Sequence, residues 1–240
     1  MSADKTTLAG LVARIKSLVG SSTADLIGIA PGSAFTAEEL GELGAAFGDA
    51  KSVVVLAQHI ADPVQEMRFE SSDGAPASLS MSFTDAMLRD ACWRVVSLLR
   101  DAGYHAAIPR NMRYGAVEPR HHISYKKAAV LAGFGAIGRS SLLIHPEWGP
   151  WVRLRTVITD APLPPDSPIS FSPCADCHRC LVACPNGALS EEGIDTAICD
   201  RHLRGVVRIS PLGHINCEEC MRACPVGVAP PRLSLQGPEG

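Results

Sequence analysis

The chain has 240 residues, 46% of them hydrophobic, with a formal net charge of −3 and a pI of about 6.2. That balance is ordinary for a soluble protein and gives no general pull toward nucleic acid or an anionic membrane. No run of 18 apolar residues occurs, and the first seven residues carry neither a twin-arginine pair nor an apolar core with a cleavage site, so a cytoplasmic location without a membrane partner is expected.

Leu8, Leu11, Val12, Ile15, Leu18 and Val19 share one face of an amphipathic helix that Gly20-Ser-Ser ends. Asp25-Leu-Ile-Gly-Ile-Ala30 is short, apolar and closed by Pro31-Gly32, which predicts a buried strand. Thr36-Ala-Glu-Glu39 is a capping-box pattern and opens a second helix reaching about Phe47. Ser52-Val-Val-Val-Leu-Ala57 is β-branched and suits a central strand. From Ile60 to about Ser80 no period holds, and a connection that long is usually functional or mobile. Phe83, Met87, Leu88, Ala91, Val95, Leu98 and Leu99 then mark the longest helix, capped by Gly103, with Cys92 as a core residue on it. Tyr104 to Ile108 reads as a strand, and helices alternating with strands imply an α/β or α+β layered domain.

Arg110, Arg113, Arg120, Lys126 and Lys127 face a single acid, Glu118, with His121 and His122 beside it. This most basic stretch is either a solvated loop leading into a helix or a surface turned toward an anionic cofactor edge. Gly133-Phe-Gly135-Ala-Ile-Gly138 imitates a dinucleotide-binding turn but lacks the full helix that must follow, since Pro146, Gly149 and Pro150 come too soon. The glycines instead make a tight loop that lets backbone approach another large ligand or pack closely on a neighbouring element. Ser141 to Ile144 and Trp151 to Thr159 are further strands. Five prolines between Pro162 and Pro173 then form a stiff linker and place the domain boundary, dividing the chain into 1–161 and 162–240, with 231–240 a loose tail.

Beyond the linker, Cys174-Ala-Asp-Cys177-His-Arg-Cys180-Leu-Val-Ala-Cys184-Pro185 places four cysteines within eleven residues. Three thiolates two residues apart can wrap one corner of an iron–sulfur cube, while the fourth points toward a second cube. Cys217-Glu-Glu-Cys220-Met-Arg-Ala-Cys224-Pro225 repeats the tail of the pattern, and Cys199 supplies the cysteine this copy lacks. The expected ligand sets are therefore Cys174, Cys177, Cys180 and Cys224 on one 4Fe–4S cluster, and Cys184, Cys199, Cys217 and Cys220 on the other. Structural zinc fits poorly, because it prefers two separated Cys-x-x-Cys pairs. A disulfide framework fits worse, given nine cysteines and no secretory leader.

The segment Ala132-Gly-Phe-Gly-Ala-Ile-Gly-Arg-Ser-Ser-Leu-Leu-Ile-His-Pro-Glu-Trp-Gly-Pro-Trp151, then Thr159-Asp160 and the two cysteine loops in that order, resembles epoxyqueuosine reductase and, more distantly, the reductive dehalogenases. The likeness is specific from about Ile123 to Gly227 and general before that. It implies a nitroreductase-like α/β domain that binds cobalamin, followed by a small ferredoxin-like domain whose two clusters feed it electrons. On that basis Gly133, Gly135, Gly138 and Arg139 are candidate cofactor-binding residues, and Glu118, His121, His122 and Tyr125 are candidate proton donors. The chain also departs from epoxyqueuosine reductase: Val117-Glu118-Pro119-Arg120-His121-His122 stands where that family has its proton-donating aspartate, and Ala136 where it has a tryptophan. Nothing after Gly240 matches the helical repeats that contact tRNA, so a tRNA partner is not expected. The first reading is a cobalamin-dependent reductase drawing on an external low-potential electron donor and acting on a small molecule. The second is an electron carrier or reactivating partner for a corrinoid or other redox protein. A third replaces cobalamin with a flavin such as FMN.

Overall fold

A computed structural model of the chain describes residues 7–22, 24–46, 50–60, 68–70, 76–78, 80–109, 123–206 and 217–228. The chain packs as two compact units, and both are discontinuous in sequence. The first comprises Met1–Gln58, Met87–Gly135 and Leu154–Ser170; the second comprises His59–Ala86, Ala136–Arg153 and Phe171–Gly240. Composition alone places a single cut at 161/162, whereas here the segments 59–86 and 136–153 pack with the cysteine-bearing segment. The physical reason is a small core of Ile60, Trp151 and Met221, which needs residues from all three stretches.

In the first unit, α1 (Leu8–Lys16) starts at an N-cap where Gly10 N–H donates to Thr7 Oγ1 over 3.2 Å. It is followed by β1 (Leu26–Pro31), α2 (Ala37–Ala46) and β2 (Ser52–His59). The capping box at α2 is reciprocal: Glu39 N–H donates to Thr36 Oγ1 at 3.1 Å, and Thr36 N–H donates to Glu39 Oε2 at 2.8 Å. Gly41, at φ 56° and ψ −150°, breaks the helix that the sequence pattern runs straight through. The region expected to be without pattern holds, in the second unit, a short antiparallel pair, β3 (Arg68–Glu70) and β4 (Pro76–Ser78); α3 (Ser80–Asp101) follows, with residues 87–101 in the first unit. After Gly103 at φ 88° come β5 (Ala106–Ala107), α4 (Tyr125–Leu131), then β6 (Ala136–Ile137) and β7 (Leu143–Ile144) of the second unit, and β8 (Val152–Thr159).

The main sheet has the order β1-β2-β8-β5, with β1 antiparallel to β2 and β5 antiparallel to β8. Its core side is built by Ile27, Ile29, Val54, Leu56 and Val157 against Leu11 and Ile15 of α1 and Leu88, Ala91, Val95 and Leu99 of α3. Cys92 is fully buried among them, as its helical spacing predicts. The fold is mixed α/β. Among the described residues no helix is long and apolar enough to cross a membrane.

The proline-rich segment is not a free spacer over its first part. Leu163 N–H donates to the buried Ser52 Oγ at 3.0 Å, and that hydroxyl donates to Ala161 O at 2.8 Å. Asp166 then lies on β1, accepting from Ile29 N–H at 2.9 Å, donating its own N–H to Ile29 O at 2.9 Å and pairing with Lys16. Because Ser52 Oγ both donates and accepts at zero exposure, Ser52→Ala removes two buried hydrogen bonds and leaves Leu163 N–H only its tight-turn bond to Ala161 O. It should destabilise the fold by about 1–3 kcal/mol, read as a lower denaturant midpoint at unchanged slope.

Candidate metal centre

In the second unit the cysteines are presented by three short helices and the turns beside them. These are α5 (Arg179–Ala183), α6 (Thr196–Val206) and α7 (Glu219–Arg222), with β9 (Leu189–Ser190) and β10 (Gly193–Ile194) paired between the first two. Pro185 and Pro225 follow the last cysteine of each loop, where a missing N–H and a fixed φ turn the chain away. Cys180 lies within α5 and Cys184 caps it; Cys220 lies within α7, and Cys199 is carried by α6. None of the nine cysteines is joined in a disulfide.

The thiols sort by neighbourhood into two groups. Cys180 is pushed up by burial and then by the nearby Cys174, Cys177 and Cys224. Cys224 rises through burial first, then through Cys174 and Cys177. Cys199 rises through burial, then through Asp200, Cys184 and Cys217. Cys220 is pushed up to about 12, chiefly by desolvation and then by Cys217, Cys180, Cys199 and Cys184. By neighbourhood Cys174, Cys177, Cys180 and Cys224 fall together, as do Cys184, Cys199, Cys217 and Cys220, and Cys220 also neighbours Cys180. Raised thiol values mean that thiolate is costly here until a cation compensates it, so a metal bound here would displace protons.

Among the described residues no three His, Cys, Asp or Glu side chains close on a single metal ion. The thiols of Cys174, Cys177, Cys180, Cys220 and Cys224 instead line one shared space with Ser140, Ile144, Pro173 and Pro225. Soft thiols around a largely apolar space suit an iron–sulfur cube, and Cys220 of the other group borders the same space. The second set has its own support: Ala188 N–H donates to Cys184 Sγ at 3.3 Å, and Asn186 Nδ2 donates to Ile198 O at 2.8 Å, tying the end of the first loop to the helix that bears Cys199.

The candidate cofactor residues make close contacts within the chain. Gly133 follows a helix, not a strand, so the dinucleotide-turn reading lacks its first element as well as its last. A side chain at Gly133 would meet Ser167 O at 2.6 Å, so this glycine lets the proline-rich segment pass. One at Gly138 would stand 2.7 Å from Ile144 Cγ1 and 3.2 Å from Cys174 Sγ, so this glycine backs the first cysteine. Gly135 has φ 151°, which glycine adopts readily. Arg139 Nε donates to Cys174 O at 3.1 Å and its Nη2 to Ala175 O at 3.0 Å, while its Nη1 pairs with Glu191. Tyr125 OH donates to Pro109 O at 3.2 Å. Glu118, His121 and His122 lie outside the described residues, as do Arg110, Arg113, Arg120 and the tail 231–240. Sequence reasoning missed Asn186, His178, Glu191 and the stack of His59 and His145 on Trp148, at 4.7 and 4.1 Å between ring centroids. Only the Cys-Pro-Asn-Gly turn signal at Asn186 was there to be read.

No family model matches the chain. An epoxyqueuosine reductase of Listeria monocytogenes is 38% identical over 106 residues, 39% of this chain and 27% of the relative. A tetrachloroethene reductive dehalogenase of Desulfitobacterium hafniense is 32% identical over 145 residues, 59% of this chain and 24% of the relative. The chain's relatives are epoxyqueuosine reductases and reductive dehalogenases. Among solved structures, a reductive dehalogenase described with a B12-dependent mechanism matches with a TM-score of 0.68 at 23% identity, over 93% of this chain and 32% of that one. An epoxyqueuosine reductase bound to a tRNA stem loop matches at 0.64 and 20% identity, over 91% and 66%. At these identities the structural likeness concerns the fold. The sequence matches span about a quarter of the curated relatives' length.

Proposed function

We propose that the chain is an iron–sulfur reductase of the cobalamin-dependent kind, in which Cys174, Cys177, Cys180 and Cys224 hold one 4Fe–4S cluster and Cys184, Cys199, Cys217 and Cys220 hold a second. The observation that carries this reading is the sorting of eight thiols into two sets that approach at Cys180 and Cys220. When bound, such clusters supply single electrons at potentials that can lie near roughly −400 mV. The chain's own contribution is to hold the thiols in place, to bury Cys180, and to set Cys220 of one set beside Cys180 of the other, the point at which an electron would pass between them. An external low-potential donor and a small-molecule acceptor complete the reaction in this reading. The nitroreductase-like cofactor domain and the small ferredoxin-like domain are the parts it assigns to these roles.

For cobalamin, the support is the B12-dependent mechanism named for one structural relative. A corrinoid, when bound, supplies strongly reducing cobalt chemistry. Gly133, Gly138 and Arg139 serve the chain's own packing and Tyr125 bonds to backbone, which favours the second reading, an electron carrier for a corrinoid or other redox protein. The visible spectrum of anaerobically purified protein, taken with and without added hydroxocobalamin and after gel filtration, separates the cases. Iron–sulfur absorption together with retained corrinoid is expected. Clusters without retained corrinoid leave the carrier reading, a flavin spectrum replaces cobalamin by FMN, and zinc without iron sinks both.

A further inference from the structure

We propose that Arg139 is a positioning residue that seats the first cysteine loop and sets the reduction potential of the cluster bound there. The inference rests on the reading that Cys174, Cys177, Cys180 and Cys224 hold a 4Fe–4S cluster. Arg139 lies outside the cysteine motif, 35 residues before Cys174 in the chain. The turn that carries it is pressed onto the motif, because Gly138 leaves its Cα against Cys174 Sγ where any Cβ would sit at 3.2 Å. From that seat the guanidinium uses three of its nitrogens on three acceptors: Nε on Cys174 O, Nη2 on Ala175 O and Nη1 on the Glu191 carboxylate. Glu191 in turn meets His178 Nε2 at 2.7 Å, so the clamp also reaches the residue after Cys177. A planar fork can span two successive carbonyls and a carboxylate at once, and a lysine ammonium on its flexible stem cannot.

The electrostatic consequence has a definite sign. Reduction adds one negative charge to the cluster, so a fixed cation one peptide away favours the reduced form and a fixed anion opposes it; net charge and hydrogen bonding are among the levers on cluster potential. Arg139 is the cation and Glu191 the anion beside it. The Arg139 side chain is 24% exposed and that of Glu191 51%, so water screens both and the effect is limited. Removing either charge should still move the potential, and the two removals should move it in opposite directions. A residue that merely propped the loop would not give that pattern.

The test uses the full-length protein loaded anaerobically, titrated reductively and followed by low-temperature electron paramagnetic resonance, with the Cys199 cluster as internal reference. At fixed solution potential, R139Q should shift the first cluster about three- to tenfold toward the oxidised form, tenfold being about 59 mV for one electron. E191Q should shift it toward the reduced form. R139K, which keeps the charge without the fork, should stay within about twofold in potential yet release iron from the first site faster under a chelator. Should R139Q fail to fold, E191Q decides alone, and a midpoint equal to wild type overturns the proposal. Shifts of R139Q and E191Q in the same direction, or wild-type midpoints in both, overturn it with the function reading intact. Wild-type protein that takes up no iron overturns both.

Discussion

Cys199→Ser is expected to cut the iron of reconstituted protein from about eight to about four atoms per chain while leaving one cluster's resonance unchanged. The argument does not depend on distance in sequence, since Cys199 stands on α6 between the two cysteine loops and belongs to neither. It depends on where the helix puts the thiol. Asn186 ties Ile198 to the end of the first loop, and the neighbours of Cys199 are Cys184 and Cys217, not Cys174 or Cys177. Losing it leaves three thiols for a four-iron cube, and in that set desolvation pushes the Cys220 thiol up, so its ionisation depends on the metal's charge. Cys92→Ala is the control, because Cys92 is buried in the first unit among Leu88, Val95 and Leu99. If reduced C199S shows the iron content and both resonances of wild type, Cys199 is a spectator and the second set is built otherwise.

Gly149→Val should have an effect of similar size on the other site, although Gly149 is 75 residues before Cys224. A Cβ at Gly149 would stand 1.8 Å from Val226 O and 2.6 Å from its carbonyl carbon, and the backbone there is at φ +57°. The contact is mutual, since a Cβ at Gly227, at φ +77°, would meet Trp148 C and O at 2.5 Å. Two backbones therefore lie flat against one another two residues beyond Cys224, and neither can yield without moving the turn that aims that thiol. Left-handed backbone on a non-glycine residue costs of order 1–3 kcal/mol, and overpacking adds about 1–3 kcal/mol more. The variant should melt earlier and load about half the iron, losing the resonance of the Cys174 set. Gly103→Ala separates the causes, because Gly103 has φ +88° but nothing within 4 Å of the added carbon. It should show the conformational cost alone and keep both clusters. Wild-type iron and melting in Gly149→Val would mean that the Trp148 to Gly149 seat has no bearing on Cys224.

Much of this architecture is readable from local rules. The amphipathic spacing of Leu8 to Ile15, the capping box at Thr36 and Glu39, the β-branched run from Ser52 and the helix ending at Gly103 each express a choice made within a few residues, so a sequence determines them directly. The grouping of the cysteines is legible for a related reason: thiols at fixed short spacing are a local feature of the chain, and the proposed clusters ask for three at that spacing. What lies across the chain is different. That 59–86 and 136–153 pack with the cysteines, that Gly133 and Gly138 accommodate Ser167 and Cys174, and that Arg139 serves the first loop all follow from which backbones come into contact. A glycine reads the same whether the space over its Cα will hold a ligand or another strand of its own chain. Only the tertiary structure decides between them, because close packing is a property of pairs of segments and no single segment carries it.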